Sequence, residues 1–127
     1  MTATLEKTGL TAAEYFQAKL NYEMTPWTLK SMLDAKNAEY LVLDVRSAEA
    51  YAEAHIPGAM HLPLAELAAK AATLPKGKTI VTYCGNITCA LAPKAALVLA
   101  QKGLKVMELF GGIEEWTKKG FPVEKKA

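Results

Sequence analysis

Three short apolar runs do most to limit what this chain can fold into: residues 40–45 (Tyr-Leu-Val-Leu-Asp-Val), 79–83 (Thr-Ile-Val-Thr-Tyr) and 105–109 (Lys-Val-Met-Glu-Leu). The first is almost continuously apolar and ends in charge. That pattern suits a strand covered on both faces, as in a parallel sheet, better than one with a wet face. Helical segments separate the runs. Thr11 with Glu14 three residues on forms a capping-box pattern for a helix over 11–20, with Tyr15, Phe16 and Leu20 to pack it on the main body. Thr25-Pro26 opens a second helix, with Leu29, Met32 and Leu33 as its buried face. Ser47-Ala48-Glu49 starts a short helix to about Ala54, His55-Ile56-Pro57-Gly58 punctuates it, and Ala59 to Leu62 is a short extended piece. A helix over about 64–73 stops at Pro75 and Gly77, one over Pro93 to Lys102 stops at Gly103, and Gly111-Gly112 opens a last helix through Trp116. Strands alternating with helices predict an α/β domain with a mostly parallel sheet and helices on both faces.

The chain's 127 residues suffice for one domain with one sizeable core. Half of them are apolar and 22% charged, the profile of a globular protein rather than a disordered one. The formal net charge is only +2, and the 15 basic residues, all Lys except Arg46, are scattered, so no nucleic-acid footprint is expected. Lys118-Lys119 and Lys125-Lys126 read as a solvated basic end. No apolar stretch approaches the ~18 residues of a membrane span, and residues 1–9 lack the apolar core of a signal peptide. The expected location is therefore cytoplasmic. Two cysteines make no disulfide framework; in a reducing compartment they point to redox, metal or catalytic chemistry.

Cys84 is the candidate for that chemistry. It follows the 79–83 strand directly and precedes a helix, and open parallel sheets bind ligands beyond the carboxyl ends of their strands. Backbone N–H groups of the loop Gly85-Asn86-Ile87-Thr88-Cys89-Ala90 can form a concave anion site, and the next helix adds its positive end. Both effects favour thiolate, the reactive form of cysteine. Gly85 allows close backbone approach. From position alone, Cys84 could equally be a small buried hydrophobe.

Several ordered pieces together resemble the rhodanese family: Leu43-Asp44-Val45-Arg46, His55-Ile56-Pro57-Gly58-Ala59, Val81-Thr82-Tyr83-Cys84, Lys94-Ala95-Ala96, Gly103, and Leu109 through Trp116. The resemblance runs from about Thr25 to Pro122. It implies a single rhodanese-like domain with a five-stranded parallel sheet, over 25–123, preceded by an extension (1–24) with one helix and followed by a basic tail (124–127). It also implies a sulfurtransferase in which Cys84 carries a sulfane sulfur as a persulfide, passed from a persulfide, polysulfide or thiosulfate donor to a thiophilic acceptor. Such chemistry needs no cofactor. The partner would be a small sulfur donor or thiol, or a protein persulfide, and the first helix leaves a homodimer open.

The loop departs from the family. Counting the cysteine as first, the sixth position is usually Arg and often followed by Ser; here it is Cys89 followed by Ala90, and the loop is about two residues longer. No charged side chain occurs between Gly85 and Pro93, so Lys94 is the first cation. A thiosulfate dianion would have only backbone dipoles to offset its desolvation. Cys89 is a candidate resolving thiol for Cys84, with space-filling as the plainer role. Asp44 and Arg46 either make a structural ion pair beneath the loops or support the site. The fold is shared with tyrosine phosphatases, whose chemistry needs an Arg in the cysteine loop, and Arg46 lies upstream. Zinc is disfavoured, because His55 falls in a turn and His61 in a strand. Two alternatives to sulfur transfer stay open: a non-catalytic binding or regulatory module, and a Cys84/Cys89 dithiol switch.

Overall fold

A computed structural model describes residues 9–126. Residues 1–8 of the expected extension and Ala127 of the tail lie outside the described residues. Six helices and five strands follow one another as α1 (Ala12–Tyr22), β1 (Glu23–Met24), α2 (Pro26–Asp34), β2 (Tyr40–Asp44), α3 (Ala48–Glu53), β3 (Met60–His61), α4 (Leu64–Lys70), β4 (Thr79–Tyr83), α5 (Leu91–Gln101), β5 (Lys105–Leu109) and α6 (Gly112–Lys118). The strands form one sheet in the order β1-β5-β4-β2-β3, and every pairing is parallel. β1 is the strand that the apolar runs do not reveal. It is two residues long, it lies in the segment assigned to the extension, and it pairs Glu23 with Glu108 and Met24 with Leu109.

Alternation along the strands sends side chains to two cores. On one face Leu43, Ile80 and Cys84 pack with Leu67 of α4 and Ala92, Ala95 and Leu99 of α5. On the other Val42, Val81 and Tyr83 pack with Leu29 of α2 and Trp116 of α6. Helix starts follow the sequence chemistry: Thr11, Thr25 and Ser47 each accept a backbone N–H at the cap, and Thr11 and Glu14 complete the capping box. α5 begins at Leu91, two residues before the expected start, with Pro93 still inside its first turn. Proline is tolerated there because first-turn N–H groups have no partner within the helix.

The expected packing of α1 does not occur. Tyr15, Phe16 and Leu20 are 50%, 57% and 77% exposed, and α1 buries no residue. α1 runs into β1 without a linker, so the strand's pairing sets its direction. Its apolar side chains border an open groove with Met32 and Met107 instead of filling it. The basic tail is tied by its backbone. His55 and Glu124 exchange N–H···O bonds of 2.9 and 2.8 Å, and the Lys126 N–H donates to Ala52 at 3.0 Å, while the Lys125 and Lys126 side chains stay exposed. Among the described residues no helix is long and apolar enough to cross a membrane.

One buried carboxylate joins β2, β4 and the His55–Ile56 turn. Asp44 is fully buried and accepts from the Arg46 backbone N–H (2.9 Å), from Arg46 Nε and Nη2 (3.0 and 2.7 Å) and from the Tyr83 hydroxyl (2.6 Å). Arg46 Nη2 also donates to the Ala54 carbonyl at 2.6 Å, and the Tyr83 oxygen accepts the Ile56 N–H at 3.1 Å. Removing one member of a buried charged network leaves the others desolvated and unpaired. Asp44→Ala is therefore expected to cost about 3–5 kcal/mol, and Tyr83→Phe about 1–3 kcal/mol, in urea unfolding. The double variant should lose less than the sum of the two.

Candidate active site

Period-two alternation along β4 points Thr82 and Cys84 toward α5. Thr82 Oγ1 donates to the Ala92 carbonyl at 3.0 Å, locking the strand to the first turn of the helix. Cys84 is 2% exposed and part of the core on that face. Ala90, the cap residue of α5, offers no side-chain acceptor, and Pro93 has no N–H. The first-turn donors are thus left for the thiols: the N–H groups of Ala92 and Gly85 aim at the Cys84 sulfur, and those of Leu91 and Gly85 at the Cys89 sulfur. Leu91 and Ala92 stand outside the loop that the sequence singles out. Within that loop, the Thr88 N–H donates to Asn86 Oδ1 (3.0 Å) and the Cys89 N–H to the Asn86 carbonyl (3.1 Å). Those two donors shape the turn and do not face the sulfur. Ile87 stands exposed at its tip.

The glycine that close approach requires is Gly112, not Gly85. A Cβ at Gly85 would meet nothing within 4 Å. Gly112 has φ +62°, and a Cβ there would collide with the Cys84 carbonyl oxygen and lie 2.9 Å from its carbon. This closeness lets the start of α6 grip the cysteine from behind: Ile113 N–H donates to the Cys84 carbonyl at 2.9 Å and Glu114 N–H to the Gly85 carbonyl at 3.0 Å. The Gly111-Gly112 pair is visible in the sequence as a helix start, but nothing in it identifies the partner.

The two thiols divide the ionisation in the opposite sense to the one expected. Burial, reinforced by hydrogen bonding to Cys89 and by its charge, pushes the Cys84 thiol up to about 11. Burial also opposes ionisation of Cys89, but a hydrogen bond from Cys84, the Leu91 and Gly85 N–H groups and the charge of Arg46 bring it below the usual thiol range. Desolvation therefore outweighs the backbone dipoles at Cys84, whereas at Cys89 the hydrogen bonds and the Arg46 charge together outweigh desolvation. Cys84 Sγ lies 3.4 Å from the Cys89 carbonyl oxygen, and both cysteines are free. Of the other candidates, Asp44 and Arg46 form the ion pair beneath the loops and lie outside the pocket wall. Lys94 is exposed on α5, away from that wall. His55 and His61 stack on Tyr51, at 3.8 and 4.6 Å between ring centres.

Cys84 and Cys89 open into a pocket of about 270 Å³ whose charged wall residues are Lys19, Glu23 and Glu108. Lys19 Nζ pairs with Glu23 at 3.0 Å. Burial and then repulsion from Glu23, partly offset by Lys19, raise the Glu108 carboxyl above its ordinary range. Sequence inspection could not bring Lys19 and Glu23 to the site, because the short β1 pairing carries them there; Glu108 arrives on β5, opposite Thr82 of β4. Two wider grooves, of about 720 and 580 Å³, flank β5 and α1 and include neither cysteine.

A nucleophile-type cysteine at the carboxyl end of a central parallel strand, cradled by two helix starts, defines a cysteine-loop α/β domain. The rhodanese-like domain model matches residues 25–119, and the chain belongs to that family. An HTH-type transcriptional regulator of Mycobacterium tuberculosis is 40% identical over 89 residues, covering 70% of this chain but 39% of the regulator. A sulfurtransferase of Allochromatium vinosum is 31% identical over 90 residues, covering 70% of this chain and 82% of the relative. The crystal structure of a Bacillus halodurans protein superposes with a TM-score of 0.82 at 40% identity, over 90% of this chain and 84% of that one.

Two expectations follow. Alkylation at neutral pH should modify Cys89 first, with the Cys84 rate still climbing toward pH 11, and Cys89→Ser should move the Cys84 midpoint down by removing the neighbouring charge. Peptide mass across a pH series measures both. Gly112→Ala should cost on the order of 1–2 kcal/mol for the left-handed backbone alone, with more from the clash. It should also abolish the rate difference between the two cysteines, read by the same alkylation.

Proposed function

We propose that this protein is a sulfurtransferase that carries a sulfane sulfur as a persulfide on Cys84. The observation that carries this reading is that Cys84 and Cys89 line a small pocket while the Gly85, Leu91 and Ala92 backbone N–H groups hydrogen-bond the two sulfurs in a way that favours the anion. A persulfide bears its charge on the outer sulfur, one bond beyond Sγ. That displaces the anion from the apolar floor toward the donors that already favour thiolate at Cys89. Preorganised donors of this kind stabilise a sulfur anion as they do an oxyanion.

In the first half-reaction Cys89, as thiolate, takes the Cys84 proton while Cys84 Sγ attacks the sulfane sulfur of a donor R–S–SH. The new S–S bond forms as the R–S bond to that sulfur breaks, and R–S⁻ leaves with the electron pair and is protonated. In the second, an acceptor thiol attacks the outer sulfur and Cys84 leaves as the thiolate. No electrons are lost overall, and the kinetics are ping-pong. The donor is a persulfide or polysulfide in preference to thiosulfate: the loop carries no cation, and two carboxylates stand at the pocket wall.

The closeness of the two cysteines, with Cys84 Sγ 3.4 Å from the Cys89 carbonyl oxygen, supports a second reading, a dithiol switch. Cys89 attacking the inner sulfur of the Cys84 persulfide would close a disulfide and release hydrogen sulfide. The resemblance to a transcriptional regulator gives that reading a context, although the chain spans only 39% of that relative.

Incubation with a persulfide or polysulfide, followed by intact mass, separates the two. Gain of one sulfur atom, lost in Cys84→Ser, supports transfer. Loss of two hydrogens with hydrogen sulfide release, both absent in Cys89→Ser, supports the switch. No change from either donor would refute both.

A further inference from the structure

Glu23 and Glu108 are register partners on adjacent parallel strands, β1 and β5, at the wall of the Cys84 pocket. Like charges side by side on neighbouring strands destabilise a sheet. One lysine serves both: Lys19 is held by Glu23 at 3.0 Å, and its Nζ also sits 5.9 Å from the Phe110 ring centre. With Lys19 engaged, Glu108 is the carboxyl left to face what enters. The loop wall offers no cation to balance it, since Asn86 and Ile87 are neutral, Cys89 can add only negative charge, and Lys94 is not among the wall residues. The pocket's volume, about 270 Å³, is below the ~300–1,000 Å³ of sites for drug-sized ligands and suits a small thiol.

We infer that Glu108 is a specificity-determining residue that selects, for sulfur exchange at Cys84, a small aminothiol or its persulfide, with the ammonium at Glu108 and the sulfur at Cys84. This rests on the sulfur-transfer reading and names its substrate class. Anionic sulfur carriers, thiosulfate and mercapto acids among them, meet the same carboxyl as a repulsive charge. Discrimination thus comes from an unfavourable contact as much as from a favourable one.

Methanethiosulfonate reagents test the charge of the pocket whether or not the protein transfers sulfur. Each places its thiol group on a cysteine thiolate through a new disulfide and releases a sulfinate. Rates at Cys84 are followed by peptide mass in a Cys89→Ser background, so that the second thiol neither reacts first nor adds its own charge. The reagents bear trimethylammonium, no charge or sulfonate, each normalised to its rate with a small free thiol. The cationic reagent should exceed the anionic one by about tenfold, as expected for one partly screened charge nearby. Glu108→Gln should shrink that ratio severalfold, while Lys19→Met, which removes the compensating cation, should enlarge it. A merely structural role would not move the two variants in opposite directions. Cys84-persulfide protein is then discharged to cysteamine or 3-mercaptopropionate, and Glu108→Gln should slow the first and speed the second. Flat ratios across the variants, or shifts of the same sign in both, overturn the inference while leaving sulfur transfer intact. Failure of Cys84 to load any sulfur overturns the sulfur-transfer reading instead, whatever the reagent ratios.

Discussion

The structure depends on the Asp44 carboxylate, because the ends of β2 and β4 and the turn before β3 are registered against it. Its oxygens receive Arg46 and Tyr83, which places the end of β2 beside the residue that precedes Cys84. Through Ala54 and Ile56 the same network holds the turn between α3 and β3. A carboxylate at zero exposure is costly to desolvate, and it is stable here because four donor groups reach it. Burial followed by the neighbouring Asp44 charge raises Tyr83 far above a free phenol, so its hydroxyl keeps its proton and stays a donor. The ends of β2 and β4 cannot slide relative to each other without unpairing a buried charge.

On that anchored frame, Cys84 is held by its backbone rather than by its sulfur. The start of α6 takes the carbonyls of Cys84 and Gly85, and the start of α5 turns its N–H groups to the thiol side. The two helix termini serve different purposes. One satisfies main-chain acceptors behind the residue, and the other leaves donors uncapped in front of it. An ordinary Ser or Asp cap on α5 would supply a side-chain acceptor for first-turn donors. Ala90 at that position is therefore chemically informative, although as a sequence letter it looks empty.

The sheet was legible because its three long strands are apolar enough to announce a doubly covered parallel arrangement, and the capping residues Thr11, Thr25 and Ser47 named their helices correctly. β1 was not legible: two residues, one of them Glu, carry no periodicity, and their pairing is decided by β5. The site shows the same split. Cys84 could be found from its place at a strand end, but its ionisation could not. Loop dipoles are visible in a motif, whereas the desolvation that outweighs them depends on Leu67, Ala95 and Leu99 packing from α4 and α5. Tyr15, Phe16 and Leu20 misled for a related reason, since amphipathic lettering says a face exists and not that anything covers it.

Burial and reactivity at Cys84 are reconciled by where charge sits. A thiol buried among apolar side chains is a poor resting nucleophile, and on the proposed reading the same surroundings would shield a bound sulfur from water. Under that reading, adding one sulfur atom moves the anion outward by a bond length, away from the buried Cys84 sulfur on which desolvation acts most. If Cys84 carries sulfur as proposed, the carrier state is better matched to the pocket than the empty one, an arrangement suited to holding sulfur until a thiol arrives. On the proposed reading the Glu108 carboxyl at the wall acts on the incoming thiol, and the N–H donors act on the sulfurs. Affinity for a sulfur anion and aversion to anionic substrates can coexist in one cavity because different groups supply them, backbone N–H donors for the first and a side-chain carboxyl for the second.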